Sequence, residues 1–210
     1  MNTTANTFIN PADAALLLID HQSGLFQTVK DIEVRQLRNN AVALADAAKL
    51  LSMPIITTAS APDGPNGPLM PEIASLPGAV FVARNGEVNA WDAPAFPQAV
   101  RATSRRTLII AGVWTSVCVA FPSLSALAEG YKVYAVIDAS GDVSPAVAQV
   151  TIARLVQAGV IPITTNALVA ELQKTWNRPE AADFAGIYCT TTPNYAAVVE
   201  SYYAAQAAKS

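Results

Sequence analysis

The sequence has little charge, a single histidine and few cysteines, and each shortage excludes a class of protein. Charged residues make up 14% of the 210 residues and hydrophobic residues 52%, with a formal net charge of −3. The longest basic cluster is the pair Arg105-Arg106, so the chain lacks the positive patch that binds nucleic acid or an anionic membrane. The single histidine, His21, excludes a metal site built from several histidines.

Signals for membranes, secretion and cofactors are also missing. No stretch reaches the length of a transmembrane span, and the opening MNTTANTFINPAD has neither a basic region nor an apolar core, so we expect no secretory signal. Two cysteines do not make a disulfide framework, which favours reduced thiols in the cytoplasm. No G-x-G-x-x-G or G-x-x-x-x-G-K-S/T motif follows a predicted strand, and we predict no cofactor.

Short apolar runs alternate with helical patterns along the chain, which is typical of a mostly parallel sheet covered on both faces. We therefore predict a three-layer α/β/α sandwich with a six-stranded Rossmann-like sheet in the order 3-2-1-4-5-6. The predicted strands span residues 14–19, 55–58, 80–83, 107–113, 131–137 and 160–164. The predicted helices span residues 33–51, 94–103, 118–129, 145–158 and 166–176.

The chain shows no repeat and no linker, so we predict one domain over residues 1–210, with its core at about 13–176. Residues 61–78 are rich in proline and glycine and predict a long irregular loop with one short helical turn. The extension 177–210 carries an Ala/Tyr-rich helix that we expect to lie against a neighbouring subunit. The apolar composition also predicts a homo-oligomer, because other subunits would cover apolar surface.

Cys118 lies in RTLIIAGVWTSVCVAFPSLSAL, between a predicted buried strand and the start of a helix. At such a junction the unpaired N–H groups and the helix dipole favour a thiolate, which predicts a nucleophile. A small buried core residue is the alternative interpretation.

Two charged residues stand at the ends of other predicted strands. Asp20 follows the first strand and Arg84 the third, and in the predicted sheet Asp20 faces Cys118 across the point where strand order reverses. A carboxylate beside a thiol can take its proton and return it to a leaving group. A nearby guanidinium lowers the pKa of both partners, and orients the pair or holds an anionic substrate group. Taken alone, Asp20 also fits a capping residue and Arg84 a surface ion-pair residue.

Three segments resemble the isochorismatase-like cysteine hydrolases, and most of all their YcaC-type branch of uncharacterised hydrolases. The segments are LLLIDHQSGLF around Asp20, VARNGEVNAWD around Arg84 and IIAGVWTSVCVAFPSLSALAEGY around Cys118. The elements GPNGPL at 64–69 and DASGDVS at 138–144 also resemble that branch, and the likeness runs from about residue 13 to 176.

The resemblance implies a hydrolase of small molecules with a catalytic triad. Asp20 would be the general base, Cys118 the nucleophile and Arg84 the basic residue. It also implies a cis peptide at Val113-Trp114 and an oxyanion hole made of the backbone N–H groups of Trp114 and Cys118. Attack on an amide-like or activated carbonyl would give a thioester that water hydrolyses. The branch further implies self-association, with an octamer as one form.

Two departures from the family limit this transfer. Its nicotinamidase branch uses a metal site of aspartates and histidines, whereas this chain has only His21, so we predict no metal and interpret His21 as structural or supporting. Ser116 stands where relatives often carry glutamate or aspartate, which changes the polarity beside the nucleophile and makes transfer of a substrate unsafe.

Five further residues are predicted to line the substrate pocket, although core packing is the alternative for each aromatic among them. They are Gln22, Phe26, Asn89, Trp91 and Trp114. The second cysteine, Cys189, lies outside the matching region and is interpreted as a buried or interface thiol.

Two other functions remain open at this stage. One is vinyl-ether hydrolysis of the isochorismatase type, in which Asp20 acts as the acid and the cysteine is not needed. The other is a non-catalytic assembly or thiol-sensing protein. Activity of a Cys118→Ala variant separates the first from a cysteine hydrolase.

Overall fold

One parallel sheet forms the centre of the protein, whose computed structural model describes residues 8–208. The strands are β1 (Ala14–Ile19), β2 (Ile55–Ser60), β3 (Val80–Arg84), β4 (Thr107–Gly112), β5 (Lys132–Val136) and β6 (Ile161–Ile163). Their order is β3-β2-β1-β4-β5-β6, and each neighbouring pair is parallel. The predicted order is therefore confirmed. The first seven residues, part of the segment in which we expect no secretory signal, lie outside the described residues.

Helices connect the strands and cover both faces of the sheet. They are α1 (Ser23–Phe26), α2 (Val34–Leu50), α3 (Pro71–Ala74), α4 (Ala95–Ala102), α5 (Ala120–Ala128), α6 (Pro145–Ala158), α7 (Thr165–Gln173), α8 (Ala181–Thr191) and α9 (Pro193–Ala207). The ends of α6 follow from local chemistry. The Ser144 hydroxyl accepts the Val147 N–H at 3.3 Å, and Gly159 leaves the helix at a φ of 101°.

The two faces of the sheet carry separate hydrophobic clusters. All six residues of β1 are buried, with Leu16 and Leu18 in one cluster and Leu17 and Ile19 in the other. A central strand that is buried on both faces reads as a continuous apolar run, which is why β1 could be recognised from sequence.

Two elements near the strand ends differ from the prediction. Arg84 is the last residue of β3 instead of following it, paired in register with Ser60 of β2. The helix predicted to start at Cys118 begins as a π-helical turn over Thr115–Val119, and α5 itself starts at Ala120. Cys118 therefore lies inside a widened first turn, a feature that often marks functional sites.

The last two helices differ in burial: α8 packs against the core, whereas α9 is exposed. Phe184 and Ile187 of α8 are buried in the same cluster as Leu16, so the hydrophobic core continues beyond residue 176. In contrast, α9 buries no residue completely and exposes Tyr202 and Tyr203. Within residues 8–208, no helix combines the length and the apolarity needed to cross a membrane.

Candidate active site

Asp20 is placed at the carboxyl end of β1, where the chain turns sharply. Its φ is 57°, in the left-handed region, and its N–H donates to the Thr58 carbonyl at 3.0 Å. The residue is only 1% exposed. The neighbouring strand therefore fixes the backbone of Asp20 and presents its carboxylate to the interior of the site.

Arg84 reaches the same point from the end of β3, and its side chain is fully buried. One terminal nitrogen donates to the Asp20 carboxylate, and the other donates to the Glu87 carbonyl at 2.8 Å. Its Nε donates to the Thr58 hydroxyl at 3.1 Å. All three guanidinium nitrogens are thus bonded within the chain, and the ion pair with Asp20 is a buried one.

Cys118 completes the group from β4 and the π turn. It is 6% exposed, and its thiol is hydrogen-bonded to the Asp20 side chain. The structure therefore brings Asp20, Arg84 and Cys118 together at the carboxyl edge of the central strands. This is where the strand order predicts a site, because β1 and β4 are neighbours there.

The electrostatics of the thiol differ from the expectation. Burial, with the negative charge of Asp20, raises the pKa of Cys118 well above its ordinary value, against the smaller lowering effect of Arg84. The prediction that the helix start favours a thiolate is therefore wrong for the resting protein. A thiol with a raised pKa holds its proton at neutral pH, and the Asp20 carboxylate is the acidic group beside it.

Burial also raises the pKa of the Asp20 carboxyl, while Arg84 and the Cys118 thiol act in the opposite direction. Arg84 lowers the pKa of both groups, as predicted, but the effect of burial is larger in each case. A carboxyl whose pKa is raised takes up a proton more readily than an exposed carboxyl does.

Most backbone groups beside Cys118 already make hydrogen bonds within the chain. The Val113-Trp114 peptide is cis, as the resemblance implies. The Cys118 N–H donates to the Trp114 carbonyl at 2.7 Å, so an oxyanion could accept from it only if that bond opened or was shared. The Trp114 N–H adjoins the bridge between Val113 and Gly141 and makes no hydrogen bond of ordinary geometry among the described residues.

Sequence comparison places these residues in a known family. The model of the isochorismatase domain matches residues 14–167. The chain belongs to the isochorismatase family. The predicted membership is confirmed, and the matched span includes all three clustered residues.

Members of the isochorismatase family with the YcaC name are similar over nearly the whole chain. YcaC of Escherichia coli, named a probable hydrolase, is 45% identical over 191 residues, which are 90% of this chain and 91% of the relative. A solved structure of YcaC from Pseudomonas aeruginosa with hexane-2,5-diol and covalent acrylamide has 44% identity and a TM-score of 0.89, covering 94% of this chain and 98% of its own. The Escherichia coli YcaC structure, described as an octameric hydrolase of unknown specificity, has 44% identity and a TM-score of 0.92, covering 96% and 99%.

Within this isochorismatase-family site, Gln22 supports the wall and is not a free pocket residue. It is buried, its amide nitrogen donates to the Ser60 and Gly67 carbonyls, and its amide oxygen accepts the Ser60 N–H at 3.0 Å. Gln22 therefore connects the end of β2 to the middle of the Pro/Gly-rich loop beside Asp20. Phe26 is buried in the core cluster on the face opposite Cys118.

The side chains of Asn89 and Trp91 also make their hydrogen bonds outside the predicted pocket. The Trp91 indole donates to Glu129 at 2.7 Å and its ring packs against Tyr131, which directly precedes β5. Since Glu129 follows the far end of α5, these contacts direct Trp91 away from the carboxyl edge and do not support its predicted place in the pocket wall. Asn89 caps the 3-10 turn Ala90–Asp92, which contains Trp91, and donates to the Ser125 hydroxyl at 3.1 Å.

Trp114 lies between the site and the opposite helix layer. Its indole N–H donates to the Thr28 hydroxyl at 2.6 Å, and the ring packs against the cluster that contains Phe26. The side chain thus holds the loop after Asp20 against the start of the π turn.

Sequence reasoning did not identify Asp142, which binds the start of the π-helical turn Thr115–Val119. Its carboxylate accepts the Ser116 N–H at 2.7 Å and the Ser116 hydroxyl at 3.2 Å, and the residue is fully buried. Gly141 accepts the Thr115 N–H at 2.9 Å. The DASGDVS element was a signal for this role, but nothing in the sequence indicates that it reaches Ser116.

His21 is buried, with Nε2 bonded to the Ala139 carbonyl at 3.0 Å and Nδ1 without a partner among the described residues. Burial lowers the pKa of His21 to about 4, so the ring is neutral at physiological pH. No group of three or more His, Cys, Asp or Glu side chains within residues 8–208 is arranged to hold a metal.

Proposed function

We propose that the protein is a cofactor-independent cysteine hydrolase that cleaves an amide-like C–N bond, or a related C–O bond, of a small molecule. The observation that carries the proposal is the contact of the Cys118 thiol with a carboxylate that Arg84 holds in place. The YcaC structure with covalent acrylamide supports a reactive nucleophile in that relative, because acrylamide is an electrophile that nucleophiles attack at its vinyl carbon.

In the first half of the proposed reaction, the thiol proton passes through Asp20 to the leaving group. Asp20 takes the thiol proton as the Cys118 sulfur attacks the carbonyl carbon, which forms a C–S bond and an oxyanion. The oxyanion collapses to a thioester, and the leaving amine or alcohol takes the proton from Asp20.

Water then completes the cycle. Asp20 accepts a proton from water as its oxygen attacks the thioester, the C–S bond breaks, and the proton returns to the thiolate. Arg84 stays charged and holds the Asp20 carboxylate in position throughout. The Trp114 N–H is the proposed oxyanion donor in both steps.

The test is a panel of amides, N-carbamoyl compounds, hydroxamates, esters and isochorismate, run on wild type, Cys118→Ala, Asp20→Asn and a Cys189→Ala control. We expect both site variants to lose at least about a thousandfold in kcat/KM and the control to keep its activity. An active Cys118→Ala variant would favour the vinyl-ether reaction with Asp20 alone. No turnover on any compound, with a change of oligomer size on reversible Cys118 oxidation, would favour a thiol sensor.

We also propose that the protein self-associates in the cytoplasm. The helix α9 exposes Val198, Tyr202 and Tyr203, at 59–65% for the three residues, and the Escherichia coli relative is described as an octamer. Light scattering of the purified chain tests this, and a monomer at micromolar concentration would contradict it.

A further inference from the structure

The carboxyl edge of the sheet is acidic. Since all strands are parallel, the loops after them gather at this edge, over residues 20–33, 61–70, 84–94, 113–119 and 137–144. The acidic residues of these loops are Asp20, Asp31, Glu33, Asp63, Glu87, Asp92, Asp138 and Asp142, and their basic residues are Lys30 and Arg84. Arginines at 101, 105 and 106 precede β4 and so belong to the opposite edge.

Neither buried basic group at the site, Arg84 or His21, is free to bind a substrate anion, and Lys30, the remaining basic residue of these loops, lies exposed on the surface. Arg84 is fully buried, and each of its nitrogens is bonded to Asp20, Thr58 or loop carbonyls. His21 is neutral, because burial lowers its pKa to about 4. Of the two roles predicted for Arg84, its contacts fit the orientation of Asp20 and leave no nitrogen for an anionic substrate group.

The place where this fold usually binds an anion is already occupied. A helix start beyond a parallel strand offers free N–H groups and a positive dipole end. Here the Asp142 carboxylate accepts the Ser116 N–H at 2.7 Å, and the Gly141 carbonyl accepts the Thr115 N–H. The Asp142 carboxylate thus takes the place of a bound anion at Ser116, two residues before Cys118.

We propose that this site acts on an uncharged substrate and discriminates against molecules that carry a carboxylate beside the scissile bond. The inference rests on the proposed cysteine hydrolase and adds the charge class of its substrate. A negative group entering the site would lose its hydration without gaining a cation, and would approach Asp20 and Asp142. A neutral amide meets neither penalty.

The experiment compares two alkylating agents of nearly equal size on the full-length protein. Iodoacetamide is neutral and iodoacetate is anionic, and mass spectrometry gives the rate of each at Cys118 and at Cys189. We expect the iodoacetamide-to-iodoacetate ratio at Cys118 to exceed that at Cys189 and at free glutathione by about tenfold or more at low salt. Because both reagents attack one thiol, its ionisation cancels from the ratio.

Charge variants then identify the source of the discrimination. Asp142→Asn should lower the Cys118 ratio by about threefold, whereas the exposed Glu200→Gln on α9 should leave it unchanged. Asp63→Asn removes one negative charge from the surface of the same edge and leaves the buried hydrogen bonds of Asp142 intact. It provides a second variant, with an expected decrease of about twofold, should Asp142→Asn fail to fold.

The outcomes separate the two proposals. Equal ratios at Cys118 and Cys189, or a faster reaction of Cys118 with iodoacetate, would overturn the uncharged-substrate inference alone. If neither reagent modifies Cys118 while Cys189 reacts, the nucleophile itself is refuted, and the proposed function fails with it. In the amide panel, butanamide should be hydrolysed at least about tenfold better than its anionic analogue succinamate.

Discussion

Replacing Arg84 by methionine should destabilise the protein strongly, in a pH-dependent way. The substitution leaves the Asp20 carboxylate buried without its partner and removes the bonds to Thr58 and the Glu87 carbonyl. Removing one member of a buried ion pair costs about 3–5 kcal/mol at neutral pH.

The pH dependence follows from the proton that Asp20 takes up. Without Arg84, the folded-state pKa of Asp20 rises further, because burial remains and the opposing charge is gone. Between the unfolded-state pKa and this folded-state pKa, the folded variant binds the extra proton. Its stability therefore falls as pH rises, by at most about 1.4 kcal/mol per pH unit. Acidification from pH 7.5 to 5.5 should recover up to about 2.7 kcal/mol relative to wild type.

Urea unfolding at pH 7.5, 6.5 and 5.5 measures this, with the protomer concentration held constant because association stabilises the folded state. The matched control is Arg38→Met, which breaks the exposed 2.8 Å ion pair with Glu72 and should cost about 0–1 kcal/mol at every pH. If Arg84→Met costs no more than Arg38→Met, or its cost does not decrease on acidification, the buried-pair reasoning is refuted.

Three further predictions follow from single residues. The kcat/KM of a hydrolysed substrate should fall as pH drops through the Asp20 pKa, which burial places above 3.8; a pH–rate profile with its acid limb at or below that value would contradict this. Gly24→Ala should lower the free energy of unfolding by about 1–3 kcal/mol, because the new Cβ would lie 2.0 Å from the Pro65 carbonyl oxygen. At the helical Gly186 a new Cβ would meet no atom of the described residues within 4 Å outside its own helix, so Gly186→Ala should raise the free energy of unfolding by about 0.5–1 kcal/mol. The midpoints of urea unfolding distinguish the two variants. Ser144→Ala removes the cap of α6 and should cost about 1 kcal/mol, lowering the melting temperature by about 2–4 °C in calorimetry, and an unchanged temperature would argue against the cap.

Much of the fold could be predicted because the deciding signals are local. The residues of β1 form a continuous apolar run, and Ser144-Pro145 and Gly159 bracket α6. Strand ends were less predictable, because a residue such as Arg84 joins β3 only through its pairing with Ser60 on β2. Likewise, α8 belongs to the core because it packs against distant residues, which its loose pattern did not indicate.

The sequence by itself determined the parallel sheet, its order and the convergence of Asp20, Arg84 and Cys118, because parallel strands bring their carboxyl ends to one edge. Only the tertiary structure decided what surrounds them. Burial raises the pKa of the thiol that the helix start was expected to lower. The cap on the π-helical turn that holds Cys118 comes from Asp142, 26 residues away from Ser116 along the chain. Such effects depend on which distant groups pack together and exclude water, and no local pattern of residues records them.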